Sequence, residues 1–417
     1  MTTELTSVTG VRQALAVIVP ARLTAPPPWQ AGPIPFDLGG GRRTDAETRQ
    51  TYFTPAAARV LYGAPGRPCR WHRFMDLRQG ALHLRGIELL CTDTTRQPHQ
   101  ALAVLHFDIT GPALLETLRA IGHRQSAGPD PLNGALSPAA LLDAVAVPQT
   151  DAPYTLAFVT PEAHHSPALR QDGRLPETAD RWLWSLASRS TDADFPVALE
   201  EWPKQRAQVL RLSADWSALV LRHGAAFLGH RPDTGDGDFF RFAESHCRTV
   251  YLDALLLGTV QRDHIDELTD ALSGIFDGPR LARRVSALER RIAAFRSTYW
   301  RQHLTAHGPA NDLLTAYQAQ HRLPARFGEI LAEAADYARL VQTQESQQIA
   351  GALGVLTILG LPLSTALAAL PLLDLQGVVP LLVALGAALS ATALVLTTRY
   401  GRLVLSSLSG RGSEGDG

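Results

Sequence analysis

Residues 349–373 read IAGALGVLTILGLPLSTALAALPLL, residues 374–377 read DLQG, and residues 378–398 read VVPLLVALGAALSATALVLTT. Between Glu345 and Arg399 the only charged side chain is Asp374. Each apolar half is about 20 residues long, and at about 1.5 Å per residue a helix of that length matches a hydrocarbon core of about 30 Å. The pattern therefore predicts a two-helix transmembrane hairpin over 346–400, with Asp374 in the connector.

Arginines 399, 402 and 411 follow the second apolar half and Arg326 and Arg339 precede the first, while the connector carries no basic residue. The positive-inside rule then places both termini in the cytoplasm and the connector outside, in a multi-pass protein of the cell membrane. The first residues, MTTELTSVTGVRQALAVIVPARL, have no basic n-region and only a short apolar run, so they do not read as a secretory signal.

Composition sets further bounds on the 417 residues. The net charge of −1 gives no basic field for nucleic acid. Cys69, Cys91 and Cys247 are odd in number and far apart, which argues against a disulfide framework. Lys204 is the only lysine, and its surroundings, EEWPKQRAQ, match no P-loop, kinase or pyridoxal-phosphate site. Neither a dinucleotide fingerprint nor a Gly-x-Ser-x-Gly elbow occurs, so the chain is read as no enzyme, with no cofactor besides a divalent cation.

Working back toward the N-terminus, residues 1–235 mix short apolar runs with turn signals. Strands are predicted at 14–19, 81–91, 101–109, 154–159, 208–212 and 217–221, and helices at 111–121, 137–145 and 177–188. This is an α+β or α/β cytosolic domain. From 236 to 345 the pattern changes to long antiparallel helices. One is predicted over 239–276, with Glu244, His246 and Asp253 on its solvated face. Another carries Leu281, Val285, Leu288, Ile292, Phe295 and Tyr299 at the alternating steps of a coiled-coil seam. After Pro324, Phe327, Ile330, Ala334, Tyr337 and Val341 repeat that alternation, and no breaker separates this stalk from the apolar stretch. Residues 401–417 read as a short disordered cytoplasmic tail.

A cytosolic α/β domain, long helices, a stalk and a C-terminal hairpin together resemble the CorA-type family of magnesium transporters. The resemblance covers most of the chain as an order of elements, without the family's Gly-Met-Asn signature, since the methionines are Met1 and Met75 and the asparagines Asn133 and Asn311. It implies a homo-oligomer in the lipid bilayer that passes cations or small solutes under control of its cytosolic domain. The alternative is a membrane-tethered binding, sensor or scaffold module whose hairpin does not conduct.

Gly354, Thr357 and Ser364 share one face of the first apolar helix and are the pore candidates, together with a ring of Asp374 copies; close packing of helices uses the same small residues. The loop Asp233-Thr234-Gly235-Asp236-Gly237-Asp238 offers Asp233, Asp236 and Asp238 as a divalent metal site, against a turn in which Asp238 caps the next helix.

Overall fold

The computed structural model describes residues 10–39, 42–92, 99–122, 130–149, 152–161, 177–191, 193–235, 237–300, 303–305, 308–372 and 378–397. The chain divides into two units, Met1–Thr269 with Arg291–Gly328, and Asp270–Arg290 with Glu329–Gly417.

In chain order the strands are β1 (Gly10–Leu23), β2 (Gln30–Ala31), β3 (Asp37–Gly39), β4 (Arg42–Arg43), β5 (Gly63–Ala64), β6 (Arg67–Pro68), β7 (Arg70–Gln79), β8 (Leu82–Cys91), β9 (His99–Ile109), β10 (Ala146–Pro148), β11 (Tyr154–Pro161), β12 (Leu210–Arg211), β13 (Trp216–Val220) and β14 (Gly224–Gly229). The helices are α1 (Ala46–Gln50), α2 (Pro55–Tyr62), α3 (Leu114–Gly122), α4 (Pro138–Leu142), α5 (Glu177–Ser188), α6 (Trp202–Ala207), α7 (Phe239–Arg248), α8 (Val250–Ser273), α9 (Leu281–Thr298), α10 (Gly308–Gln320), α11 (Leu323–Leu372) and α12 (Val378–Thr397).

The first unit is built on a ten-stranded sheet ordered β12-β13-β14-β11-β1-β9-β8-β7-β2, with β10 also on β1. Its pairings are antiparallel except β11 with β14, which are parallel and have α5, α6, β12 and β13 between them in the chain. β1 is the centre, with β9 along one edge and β11 then β10 along the other. Its side chains alternate, so Leu15, Val17 and Val19 enter one core and Ala14, Ala16 and Ile18 the opposite one, all buried. A strand buried on both faces reads as an unbroken apolar run, which is why 14–19 was legible.

Helices α3, α4 and α5 cover the first face through Leu118, Leu142 and Leu183. On the second face Tyr251 of α8 stacks on Phe227 of β14 at 5.6 Å, and Tyr317 of α10 meets Tyr154 of β11 edge-on at 5.4 Å. α8 and α10 approach closely at Gly258, where an added Cβ would stand 2.6 Å from the Tyr317 ring.

The helix expected over 239–276 is two helices. Thr249 leaves helical geometry (φ −127°, ψ −94°) and its hydroxyl returns to the Ser245 carbonyl at 2.6 Å. Strand β7 was not anticipated, because RWHRFMDLRQ carries charge at positions that the sheet buries.

In the second unit, Val285, Leu288, Ile330 and Ala334 are buried, and Phe276 meets Tyr337 edge-on at 5.0 Å. The stalk runs into the apolar stretch as one helix, α11, with Pro324 in its first turn, where a missing N–H costs nothing. Among the described residues, however, no helix is long and apolar enough to cross a membrane. That finding corrects the two-helix transmembrane hairpin over 346–400, the CorA-like transport of cations or solutes, the membrane-tethered alternative, and the cell-membrane location with cytoplasmic termini. A span needs a sustained apolar run of neighbouring side chains, which helix length alone does not supply. α11 is charged from Arg326 to Glu345.

Candidate functional site

Among the described residues, a fully buried polar assembly ties the sheet to α8. Arg70 on β7, Glu88 on β8 and Asp253 on α8 are all 0 % exposed. The Arg70 guanidinium donates from Nε to Glu88 Oε2 at 2.7 Å, makes a second bond to the same oxygen from Nη2, and reaches Asp253 Oδ1 from Nη1 at 2.6 Å. The Tyr62 hydroxyl donates to Asp253 Oδ2 at 2.6 Å, and the Ile34 N–H donates to Glu88 Oε1 at 2.8 Å. Arg49 on α1 donates to the Ile34 and Thr44 carbonyls at 2.6 and 3.0 Å and lies 3.5 Å from Asp253.

Burial alone would raise the Glu88 carboxyl, but Arg70, His106 and Arg49 hold it well below the usual range. Burial, then the Asp253 charge, pushes the Tyr62 hydroxyl well above its ordinary value. His106, with Nε2 3.5 Å from Glu88 Oε1, is held down chiefly by burial. Two guanidiniums face two carboxylates, and the hydrogen bonds close the set on itself. This is a lock between layers, with no open coordination position. Asp253, expected on a solvated face, is one of its central members.

The acidic loop is also internally engaged. Asp233 Oδ2 accepts from Arg12 Nε at 2.8 Å and from the Thr160 hydroxyl at 3.0 Å, and Oδ1 accepts from the Gly235 N–H at 2.8 Å. Asp238 receives both Nη groups of Arg231 at 2.7 Å and caps α7 by accepting from the Phe240 N–H at 3.1 Å. The Arg231 bonds drive its carboxyl far below the usual range. A cation at Asp233 and Asp238 would have to displace these arginines. Asp236 lies outside the described residues, and among those described no cluster of three or more His, Cys, Asp or Glu is placed to hold a metal.

Of the pore candidates, Gly354, Thr357 and Ser364 lie on α11. The Thr357 and Ser364 hydroxyls donate back to the Leu353 and Leu361 carbonyls at 2.8 and 3.0 Å. Asp374 lies outside the described residues. The pore that these residues were expected to line is dropped with the spans.

An open pocket of about 260 Å³ lies at the β13–β14 turn. Trp184 and Ser188 come from α5, Gln205 from α6, Gln208 from the residue after it, Leu221, Arg222 and His223 from the turn, and Gln320 from the last position of α10. The Gln320 amide donates to the Gln208 side-chain oxygen at 2.6 Å and so bridges two walls. None of the eight lining side chains is acidic. Burial first, then Arg189, Arg222 and Arg262, hold the His223 imidazole below its ordinary value. The neighbouring His321 is pushed down to about 4 by burial, then by Arg262 and Arg222. The pocket floor is apolar (Trp184, Leu221) and its rim supplies amide, hydroxyl and guanidinium groups, the mixture that fixes a small ligand's orientation.

None of the pocket residues was singled out from the sequence. They come from four separate segments, and the only local clue was Arg222-His223-Gly224 between two apolar strands. Comparison of the chain with known protein families, with curated proteins and with solved structures finds no match in any of the three. The likeness to the CorA-type family therefore rests on the order of elements alone.

Proposed function

We propose that the chain is a non-catalytic binding module whose pocket at the β13–β14 turn takes a small polar molecule. The observation that carries this reading is the convergence of four segments on one apolar-floored pocket rimmed by hydrogen-bonding side chains. Non-catalytic use is supported by Ser188, whose hydroxyl donates to the Ser185 carbonyl at 3.4 Å rather than to a base. The test is a thermal-shift screen of the full chain against small polar compounds, neutral and charged. A ligand that raises the melting temperature saturably, and does so less in Gln208→Leu, supports the reading. Uniformly flat responses across the set overturn it.

A second property, self-association into a homo-oligomer, is supported by the exposed apolar side chains of α11 and α12. Leu353, Leu356, Leu361, Val379, Leu382 and Leu389 are each 57–72 % exposed. A stable protein interface covers roughly 800 Å² per partner, and exposed apolar side chains clustered on one element are what such an interface buries. A second copy of this chain carries the same surface and is the partner we propose. The net charge of −1 supports a module that does not bind nucleic acid.

A further inference from the structure

We propose that the pocket at the β13–β14 turn is an oxyanion site, taking a small molecule that carries carboxylate or phosphate oxygens between the Arg222 guanidinium and the amides of Gln205, Gln208 and Gln320. This rests on the binding-module reading and specifies its ligand.

Charge balance around the pocket carries the argument. Arg222 has no ion-pair partner among the described residues, although most arginines of the first unit's described core are matched to a carboxylate, as Arg12, Arg70, Arg211 and Arg231 are. It stands at the rim of a pocket with no acidic side chain. The carboxylates beside Arg262 and at the start of α6 are already engaged. Asp263 accepts from Arg262 at 2.8 Å, Asp266 from Arg326 at 2.5 Å, and Glu201 of the α6 entry from Lys204 at 2.7 Å. The positive groups thus outnumber the free negative ones at this one opening. A planar guanidinium beside amide donors matches the fork geometry of a carboxylate or phosphate.

The two histidines report the same field. His223 feels Arg189 after α5, Arg222 in the turn and Arg262 of α8, and burial first, then these three charges, lowers its imidazole below the ordinary value. His321, after α10, is depressed by burial and by Arg262, Arg222, His223 and Arg326. A bound oxyanion would offset the guanidinium charge and lift the His223 value back toward its ordinary range, so binding below neutrality takes up protons.

The test is isothermal titration of the full chain with inorganic phosphate and with succinate, in low-chloride buffers of different ionisation enthalpy near pH 6. The expected result is saturable binding of at least one anion, with a heat that depends on the buffer because protons are taken up. Arg222→Gln should weaken binding about tenfold or more, Arg222→Lys should restore part of it, and His223→Asn should abolish the buffer dependence while binding persists. An unchanged denaturation midpoint in each variant shows that the fold is intact. Preference for phosphate over succinate, or the reverse, identifies the source of the oxygens.

Binding of neither anion, or equal binding by wild type and Arg222→Gln, overturns the proposal. A neutral polar compound that binds at the Gln208 wall while both anions fail removes the oxyanion and leaves the binding module standing. Failure of every compound removes both.

Discussion

Arg70 shows what a single side chain can decide. A guanidinium at 0 % exposure survives only because Glu88 and Asp253 are buried with it, and removing one partner strands the others without water. Asp253→Ala should therefore cost about 3–5 kcal/mol, read as a lower urea midpoint at unchanged slope. The depressed Glu88 carboxyl has a definite sign: its folded value lies below the unfolded one, so its contribution is present above the unfolded pKa and is lost as pH falls through the folded value. Urea titrations at successively lower pH should show that loss, and Glu88→Gln, though less stable throughout, should show a shallower fall. His321 acts in a higher window. Its folded value near 4 lies below the ordinary 6.5, so the unfolded chain binds the proton first and stability declines as pH drops from about 6.5 toward 4. His321→Gln should flatten stability across that window.

At the scale of elements, the sheet's apolar strands were readable because their side chains follow simple periods. The strands at 81–91, 101–109 and 154–159 appear as β8, β9 and β11, and the helix at 177–188 as α5. β7 was hidden because its buried positions are Arg70 and His72, residues that a hydropathy pattern assigns to solvent. Asp253 was misplaced for the same reason. The break between α7 and α8 depends on one hydroxyl bonded to a carbonyl four residues back, a contact with no signature in periodicity. The α8–α10 contact is equally a matter of shape. Gly258→Ala places a methyl inside 3.0 Å of the Tyr317 ring, and about 1–3 kcal/mol of destabilisation is expected by differential scanning calorimetry. Tyr317→Leu in the same chain should recover part of it, because the ring that meets the methyl is gone.

At the scale of the molecule, the exposed leucines of α11 and α12 and the pocket of the first unit make separate demands. Self-association predicts a mass above one chain by sedimentation equilibrium, and Leu356→Gln with Leu389→Gln should lower it. A monomer at all concentrations would exclude assembly through these helices without touching the pocket. Ligand binding by the double variant should match wild type.

The amino-acid order by itself determined that a mixed α/β region precedes long helices, and that the stalk continues unbroken into the apolar stretch, because both are properties of neighbouring residues along the chain. Only the tertiary structure decided that Arg70, Glu88 and Asp253 close on one another, and that four distant segments meet at Arg222. Those outcomes depend on which side chains become neighbours in space, and local periodicity carries no record of such partners.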